Sequence, residues 1–351
     1  QLGGHSRPRT HRPVPPADRP VNVGFEIVRA LSARVSSHPR ISVRLNSRAS
    51  RISLGRSGRS VAGVYLEDSP EPIRAGAVIL STGGYAADRA GLLAQHAPQL
   101  AHLATTNGRW ATGDGVRLGA ALGARLVHMD QVQIHPTGFV DPADPANPTK
   151  FLAPEALRGS GGLLFDPSSG RRFVNELGLR DHVAGSIMRL ADHTALLVLN
   201  DAALALYSAP ALKFYRAKGF VRDFPDARAF AEAYQLPYEA LCEGLQAYGR
   251  QHAADPFSKT VFPVTFSCAE TLYVMRVTPV LHYTMGGLAI DPQAVVQFPS
   301  TQPQIQGLFA AGEVTGGLHG ANRLGGNSLL ECVVFGRVAA ASAFQFITTE
   351  H

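Results

Sequence analysis

The residues of this chain best suited to chemistry stand where an apolar strand runs into glycine. Gly307-Leu308-Phe309-Ala310-Ala311-Gly312-Glu313 is a short strand ending on a carboxylate. It is followed by Gly316-Gly317-Leu318-His319-Gly320-Ala321-Asn322-Arg323-Leu324-Gly325-Gly326-Asn327-Ser328-Leu329. Glu313 is placed to meet sugar hydroxyls, and the glycines let backbone lie close against a flat ring. Ser328 and Glu331 have capping-box spacing, which predicts a helix start there. The amides of such a start favour negative charge on whatever the turn holds. A second apolar run, Ala75 to Leu80, breaks into Ser81-Thr82-Gly83-Gly84. That pattern fits a sheet buried on both faces, with a ligand meeting the strand ends. Gly113, Gly115 and Gly119 do not add a dinucleotide loop: the spacing is Gly-x-Gly-x-x-x-Gly, and polar Thr105-Thr106-Asn107-Gly108 stands where a buried strand is needed. If a dinucleotide binds, its pyrophosphate loop is expected upstream of Gln1.

The elements that must position these residues can be read from periodicity. From Val21 to Val35 apolar side chains recur at helical spacing (Val23, Ile27, Val28, Leu31, Val35) and Pro39 follows, which predicts a surface helix on a core. Strands are expected over Ile41 to Leu45, Ser60 to Leu66, Ala75 to Leu80 and Gly307 to Ala311. A small Ala- and Gly-rich helix is expected over 116–127, helical stretches near 182–206 and 226–252, and a helix from Ser328 to the C-terminus. The pattern is α/β, a nucleotide-type domain interrupted by an insertion of mixed short elements over about 130 to 283.

Composition narrows the function classes. The 351 residues are 45% hydrophobic and 17% charged, which excludes general disorder. No uninterrupted apolar run approaches the roughly 18 to 20 residues that span a bilayer, so no membrane span is expected. The formal charge of +6 is scattered and leans on Arg7, Arg9, Arg12 and Arg19, a weak pattern for nucleic acid and an equally good one for a small anion. Cys242, Cys268 and Cys332 are too few and too dispersed for a disulfide framework, a zinc site, an iron-sulfur cluster or haem attachment. The opening Gln1-Leu2-Gly3-Gly4-His5 reads as mid-domain sequence, so the chain is expected to be a fragment.

These phrases, with Thr112-Gly113-Asp114-Gly115 and His282-Tyr283-Thr284-Met285-Gly286-Gly287, resemble the flavoprotein of the succinate dehydrogenase and fumarate reductase family nearly end to end. Gly3-Gly4-His5-Ser6-Arg7-Pro8-Arg9-Thr10-His11-Arg12 and Arg172-Phe173-Val174-Asn175-Glu176-Leu177-x-x-Arg180-Asp181 are most similar to its soluble fumarate reductases. The resemblance implies an FAD-binding Rossmann-like domain, incomplete at its N-terminus, over 1–129 and 284–351, with an inserted α+β capping domain over 130–283. It implies FAD as cofactor, held by Ala49, Thr82, Gly83, Asp114, Tyr283, Glu313, Ser328 and Leu329. It implies Arg180 as proton donor, with Glu155 and Arg158 restoring the proton as a relay. The two are three apart, so in a helical turn they share a face. An unperturbed arginine stays protonated far above neutral pH, so crowding with other cations in a closed, dry site must supply the acidity.

A four-carbon dicarboxylate needs two anion clamps, a hydride donor, and a proton donor on the opposite face. His282 and Arg323 would clamp one carboxylate, Arg323 through its bidentate fork. His135, in Gln133-Ile134-His135-Pro136-Thr137, would reach the other, and Gly326 joins the substrate set. The family often has Thr before the glutamate that matches Glu155, where this chain has Pro154, a departure that touches substrate choice. The expected reaction is reduction of fumarate to succinate. The electron donor is left open among a reduced flavin, a reductase and a fused domain, and the compartment between mitochondrion and cytoplasm. Three other readings stand beside it: a succinate dehydrogenase subunit, a reductase of another enoate or a ketosteroid, and a flavin-free truncated remnant.

Overall fold

The computed structural model describes residues 1–11, 22–250 and 255–349. Arg12, Arg19 and Val21, and the end of the helical stretch expected to reach 252, lie outside the described residues. The N-terminal elements are helix α1 (Val23–Ser37), strands β1 (Ala49–Leu54), β2 (Val61–Leu66), β3 (Ile73–Arg74) and β4 (Val78–Leu80), and helices α2 (Leu92–His96) and α3 (Asp114–Ala121). Strands β5 (Leu126–Val127) and β6 (Val132–Phe139), helix α4 (Glu155–Gly159), β7 (Leu163–Phe165), α5 (Arg180–Met188) and β8 (Ala195–Leu199) follow. Then come α6 (Asp201–Tyr207), α7 (Ala209–Ala217), β9 (Arg222–Phe224), α8 (Ala227–Tyr234) and α9 (Tyr238–Arg250). The chain closes with β10 (Leu272–Thr284), β11 (Gly287–Ala289), β12 (Leu308–Ala310), β13 (Thr315–Gly316) and α10 (Asn327–Thr349).

Two layers matter for the site. The first is an antiparallel sheet ordered β6-β10-β8-β7, with β9 also paired to β10. Its central strand β8, Ala-Leu-Leu-Val-Leu, is wholly buried and lies at the heart of the larger apolar core. The second layer joins β12 and β4 in parallel, Leu308 to Val78 through Ala310 to Leu80. These two strands end at Ala311-Gly312-Glu313 and Ser81-Thr82-Gly83-Gly84, so both glycine-rich turns emerge on one side. A second core, including Leu80, Tyr85, Val116, Leu288, Leu308 and Val314, packs beneath them.

Several local expectations are corrected. Ile41 to Leu45 forms no strand; Ile41, Val43 and Leu45 are exposed, and pairing begins at Ala49. The helical stretch of 182–206 is broken by β8, because a short continuous apolar run has no period that separates strand from helix. Residues 226–250 are two helices, parted at Gln235, which takes a left-handed conformation just before Pro237. Helix α1 forms, capped by Asn22, but buries no residue: Val28 and Leu31 of its stripe stand exposed. The Ser328–Glu331 capping box does not form, since Asn327 begins α10 and Glu331 bonds elsewhere. Helix α10 is, among the described residues, one helix long and apolar enough to cross a membrane by length and composition. Counting uninterrupted apolar runs misses it because Glu331 and Arg337 break the run without lowering the average much. Ala339 and Ala343 pack it against Phe309 and Ala311. Finally, Cys242 and Cys268 are joined as a disulfide, with Cα atoms 5.6 Å apart; α9 and the segment before β10 bring together two residues that sequence distance separates.

Candidate active site

Strand β6 contributes His135 and Gln133, and its neighbour β10 contributes His282 and Tyr283. The two histidine rings lie 5.2 Å apart between centroids. His282 Nδ1 is held by the Thr106 hydroxyl at 2.8 Å. His135 is fully buried, its Nδ1 held by the Thr137 backbone and its Nε2 without a partner. Burial, then the charge on Arg180, holds His135 far below the ordinary histidine range and brings His282 down to about 3. Both rings are therefore neutral at pH 7.

Three guanidiniums share this interior. Arg180 opens α5 and is buried; its Nε donates to Glu155 Oε2 at 2.7 Å, and its Nη1 donates to Gln133 Oε1 at 2.8 Å. Arg158, fully buried on the single turn α4, donates from Nη1 to the Glu176 carbonyl, while its Nε and Nη2 have no partner among the described residues. Arg323 lies over the Tyr283 ring at 4.4 Å, and its buried Nε is also unpartnered. Burial and the Arg180 charge lower Arg323 to about 10. Burial alone would raise the Glu155 carboxyl, but Arg158 and Arg180 hold it below the ordinary range, and the Gly3 N–H donates to it. Buried donors without acceptors cost about 1–3 kcal/mol each. Such donors around surplus positive charge are what a small anion would complete.

All of the expected substrate and relay residues except Gly326 thus meet in one buried group. Gly326 stands on the adjoining turn at φ +85, with open space where a side chain would be. Its neighbour Gly325 is the tighter position, since a Cβ there would come 2.9 Å from Glu155 Oε2. Gln133 was not singled out from sequence, although the phrase containing it was; its partners lie 47 and 190 positions away.

The expected cofactor residues stand on several elements. Ala49 follows Arg48, which donates to both Asp114 oxygens at 3.0 and 3.1 Å. Gly115 N–H, next to Asp114, donates to Thr82 Oγ1 at 3.0 Å. Gly83 has φ +78 and open space at its Cα, and a Cβ on Gly84 would collide with Thr284 and Glu313. Glu313 accepts from the Thr284 N–H at 2.9 Å, and its burial raises its carboxyl. The Tyr283 hydroxyl donates to Glu331 of α10, which also binds His319. Ser328 and Leu329 lie in the first turn of that helix. A cavity of about 550 Å³, lined by His5, Arg9, His11, Gly325, Gly326 and Leu329 among others, opens beside the turn. Open backbone at Gly83, next to the Gly84 that packs on the strand-end carboxylate Glu313, fits a flat ring that carries a sugar and phosphates.

Comparisons with known proteins show the family. Residues 1–329 match the family model described as an FAD binding domain. Fumarate reductase 1 of Saccharomyces cerevisiae is 43% identical over 97% of this chain and 75% of its own length. The fumarate reductase of Schizosaccharomyces pombe is 44% identical over 98% of the chain and 68% of its own length. The open conformation of a flavocytochrome c3 fumarate reductase superposes with a TM-score of 0.72 at 30% identity, covering 99% of this chain and 59% of that one. The chain belongs to the FAD binding domain family, as an oxidoreductase flavoprotein of the fumarate reductase group with FAD as its cofactor.

Proposed function

We propose that the buried group around His135 and His282 binds fumarate, and that the protein reduces it to succinate. The observation that carries this reading is the set of unmet donors: among the described residues, three guanidiniums and two neutral histidines share one ion-paired carboxylate, Glu155 on Arg180, while His135 Nε2, Arg158 Nε and Nη2, and Arg323 Nε lack acceptors. A dianion with a carboxylate at each end supplies both the missing charge and the missing acceptors. When bound, FAD supplies the reducing equivalent as a hydride from its N5 atom. Glu313, Tyr283, Ser328 and Leu329, with Thr82, Gly83, Ala49 and Asp114, are the residues that would hold it.

The chain's own groups do the rest. Arg323 and His282 take one carboxylate and polarise the alkene toward it, because charge develops there as the double bond is reduced. His135 takes the other carboxylate. Arg180 donates a guanidinium proton to the second alkene carbon. Glu155, ionised and bonded to Arg180 Nε, is the atom through which that proton returns, with Arg158 behind it. Pro154 is the N-cap of α4 and provides no hydroxyl where the family often has one, so the substrate carboxylates rest on the histidines and arginines. Residues 130–283 form the capping unit in this reading, supported by the single core that β7, β8, α5 and α8 share.

The test is anaerobic. The flavin of the FAD-loaded protein is reduced chemically and its absorbance followed as fumarate is added. Rapid reoxidation with one succinate per flavin is expected. A reduced flavin that ignores fumarate would overturn the substrate assignment.

A further inference from the structure

One side chain ties the acid to the clamp. Gln133 is buried on β6, and its two amide atoms face opposite partners. Oε1 accepts from Arg180 Nη1 at 2.8 Å, while Nε2 donates to the Arg323 carbonyl at 2.6 Å and to Asn322 Oδ1 at 3.0 Å. Asn322 Nδ2 in turn donates to Asp181 Oδ1 at 2.7 Å, and Asp181 follows Arg180 in the chain. A guanidinium only donates and an ionised carboxylate only accepts, so the direction of each link is set from both ends. The links close a circuit from Arg180 through Gln133 and Asn322 to Asp181.

We infer that Gln133 is a positioning residue for the proposed reduction, holding the Arg180 guanidinium and the Arg323 backbone in one fixed relation; this rests on the reading of Arg180 as the acid. The circuit decides which hydrogens are spoken for. Arg180 Nε–H goes to Glu155, one Nη1 hydrogen goes to Gln133, and Nη2 lies 2.6 Å from Glu155 Oε2. Of the five N–H bonds a guanidinium carries, those remaining are left for substrate. Leucine at 133 would keep the volume and free the guanidinium to rotate. Glutamate would fail twice: it cannot donate to the Arg323 carbonyl, and it adds a second carboxylate that competes for the proton to be delivered.

In the FAD-loaded chain, Gln133→Leu is expected to lower kcat for fumarate by on the order of 100-fold, the penalty of about an ångström of misplacement. Succinate affinity, read from the perturbed flavin spectrum, is expected to fall much less, and the solvent deuterium isotope effect to rise. Asn322→Ala is expected to lose less, and the double variant no more than Gln133→Leu alone, because both break one circuit. Gln133→Glu is expected to regain activity as falling pH protonates the new carboxyl, whereas Gln133→Leu keeps the wild-type profile. A kcat close to wild type in Gln133→Leu would overturn the inference, as would parallel loss of kcat, succinate affinity and thermal stability. If the wild-type protein leaves fumarate untouched, the substrate reading falls on its own. A crystal structure of Gln133→Leu then decides about Gln133: a guanidinium that leaves Glu155 supports the positioning role, and one that stays refutes it.

Discussion

Two buried charge clusters lie on opposite sides of Glu176. On one side Arg172, Glu176, Lys259 and Asp255 pair two cations with two carboxylates, with bonds of 2.8 to 3.0 Å. On the other, Arg158 hangs from the Glu176 carbonyl and shares its interior with Arg180, Arg323 and Glu155, whose carboxylate pairs with Arg180. Both clusters are largely withdrawn from water at their charged side chains. The first closes on itself, and its four charged side chains meet their partners. The second carries surplus positive charge and unpartnered donors. Burial of charge therefore does not mark function here. Imbalance does, and the contrast separates a stabilising network from a binding site without reference to any relative.

The comparison breaks first at Arg180. Arg180→Ala is expected to abolish fumarate reduction, by about 10³-fold or more, with FAD and succinate still bound; normal turnover in stopped-flow reoxidation would remove it from the acid role. Arg323→Lys is expected to raise KM for fumarate by roughly 100-fold, as the fork becomes a point charge, measured in steady-state assays with kcat less affected. In the balanced cluster the effect should move from activity to stability. Lys259→Met leaves Glu176, which its cationic partners hold at about 2 against the upward pull of burial, short of one of them. A loss of about 3–5 kcal/mol is expected in chemical denaturation, with kcat little changed in the cold, and Glu176→Gln on top should recover part of it.

The last prediction concerns pH. His282 is brought down to about 3 in the ligand-free fold and returns to about 6.5 on unfolding. Between those values the unfolded chain binds more protons, so stability falls as pH drops from about 6.5 towards 3. His282→Gln should flatten that part of the denaturation profile; an unchanged slope would show that the ring is not held neutral.

How much of this was legible in the sequence follows the kind of interaction. Glu313 and the glycine turn after it are local: strand, turn and helix occupy one continuous phrase over 307–329, so their meeting could be read directly, whereas Tyr283 stands in a separate phrase and was legible only through the resemblance. His135, Arg180 and Arg323 were legible only because the phrases around them resembled a family, since nothing in a lone histidine or arginine says what it will face. Gln133 and Lys259 were not legible, because their meaning lies in partners 47 to 190 and 83 positions away. The misread stretches share one cause. Ile41 to Leu45 and Ala195 to Leu199 are both short apolar runs, and only tertiary pairing decides that the second is a strand and the first is exposed chain.

Strand β10 runs from one core to the other: Leu272 to Val277 pack in the larger core, and Leu281 in the one beneath the glycine turns. Its pairing with β6 is irregular between Leu281 and Tyr283, on either side of His282, and between Thr278 and Val280, around Pro279. Mechanically this is a beam with a flexure built into it, and His282 rides three residues beyond that point. At about 3.3 Å per residue the lever is roughly 10 Å long, so a bend of about 10° carries the ring roughly 1.7 Å. Displacements of that size separate productive from idle geometry. On the proposed role of His282 as a clamp, the geometry at the substrate therefore depends on how stiffly Pro279 and its neighbours hold one strand.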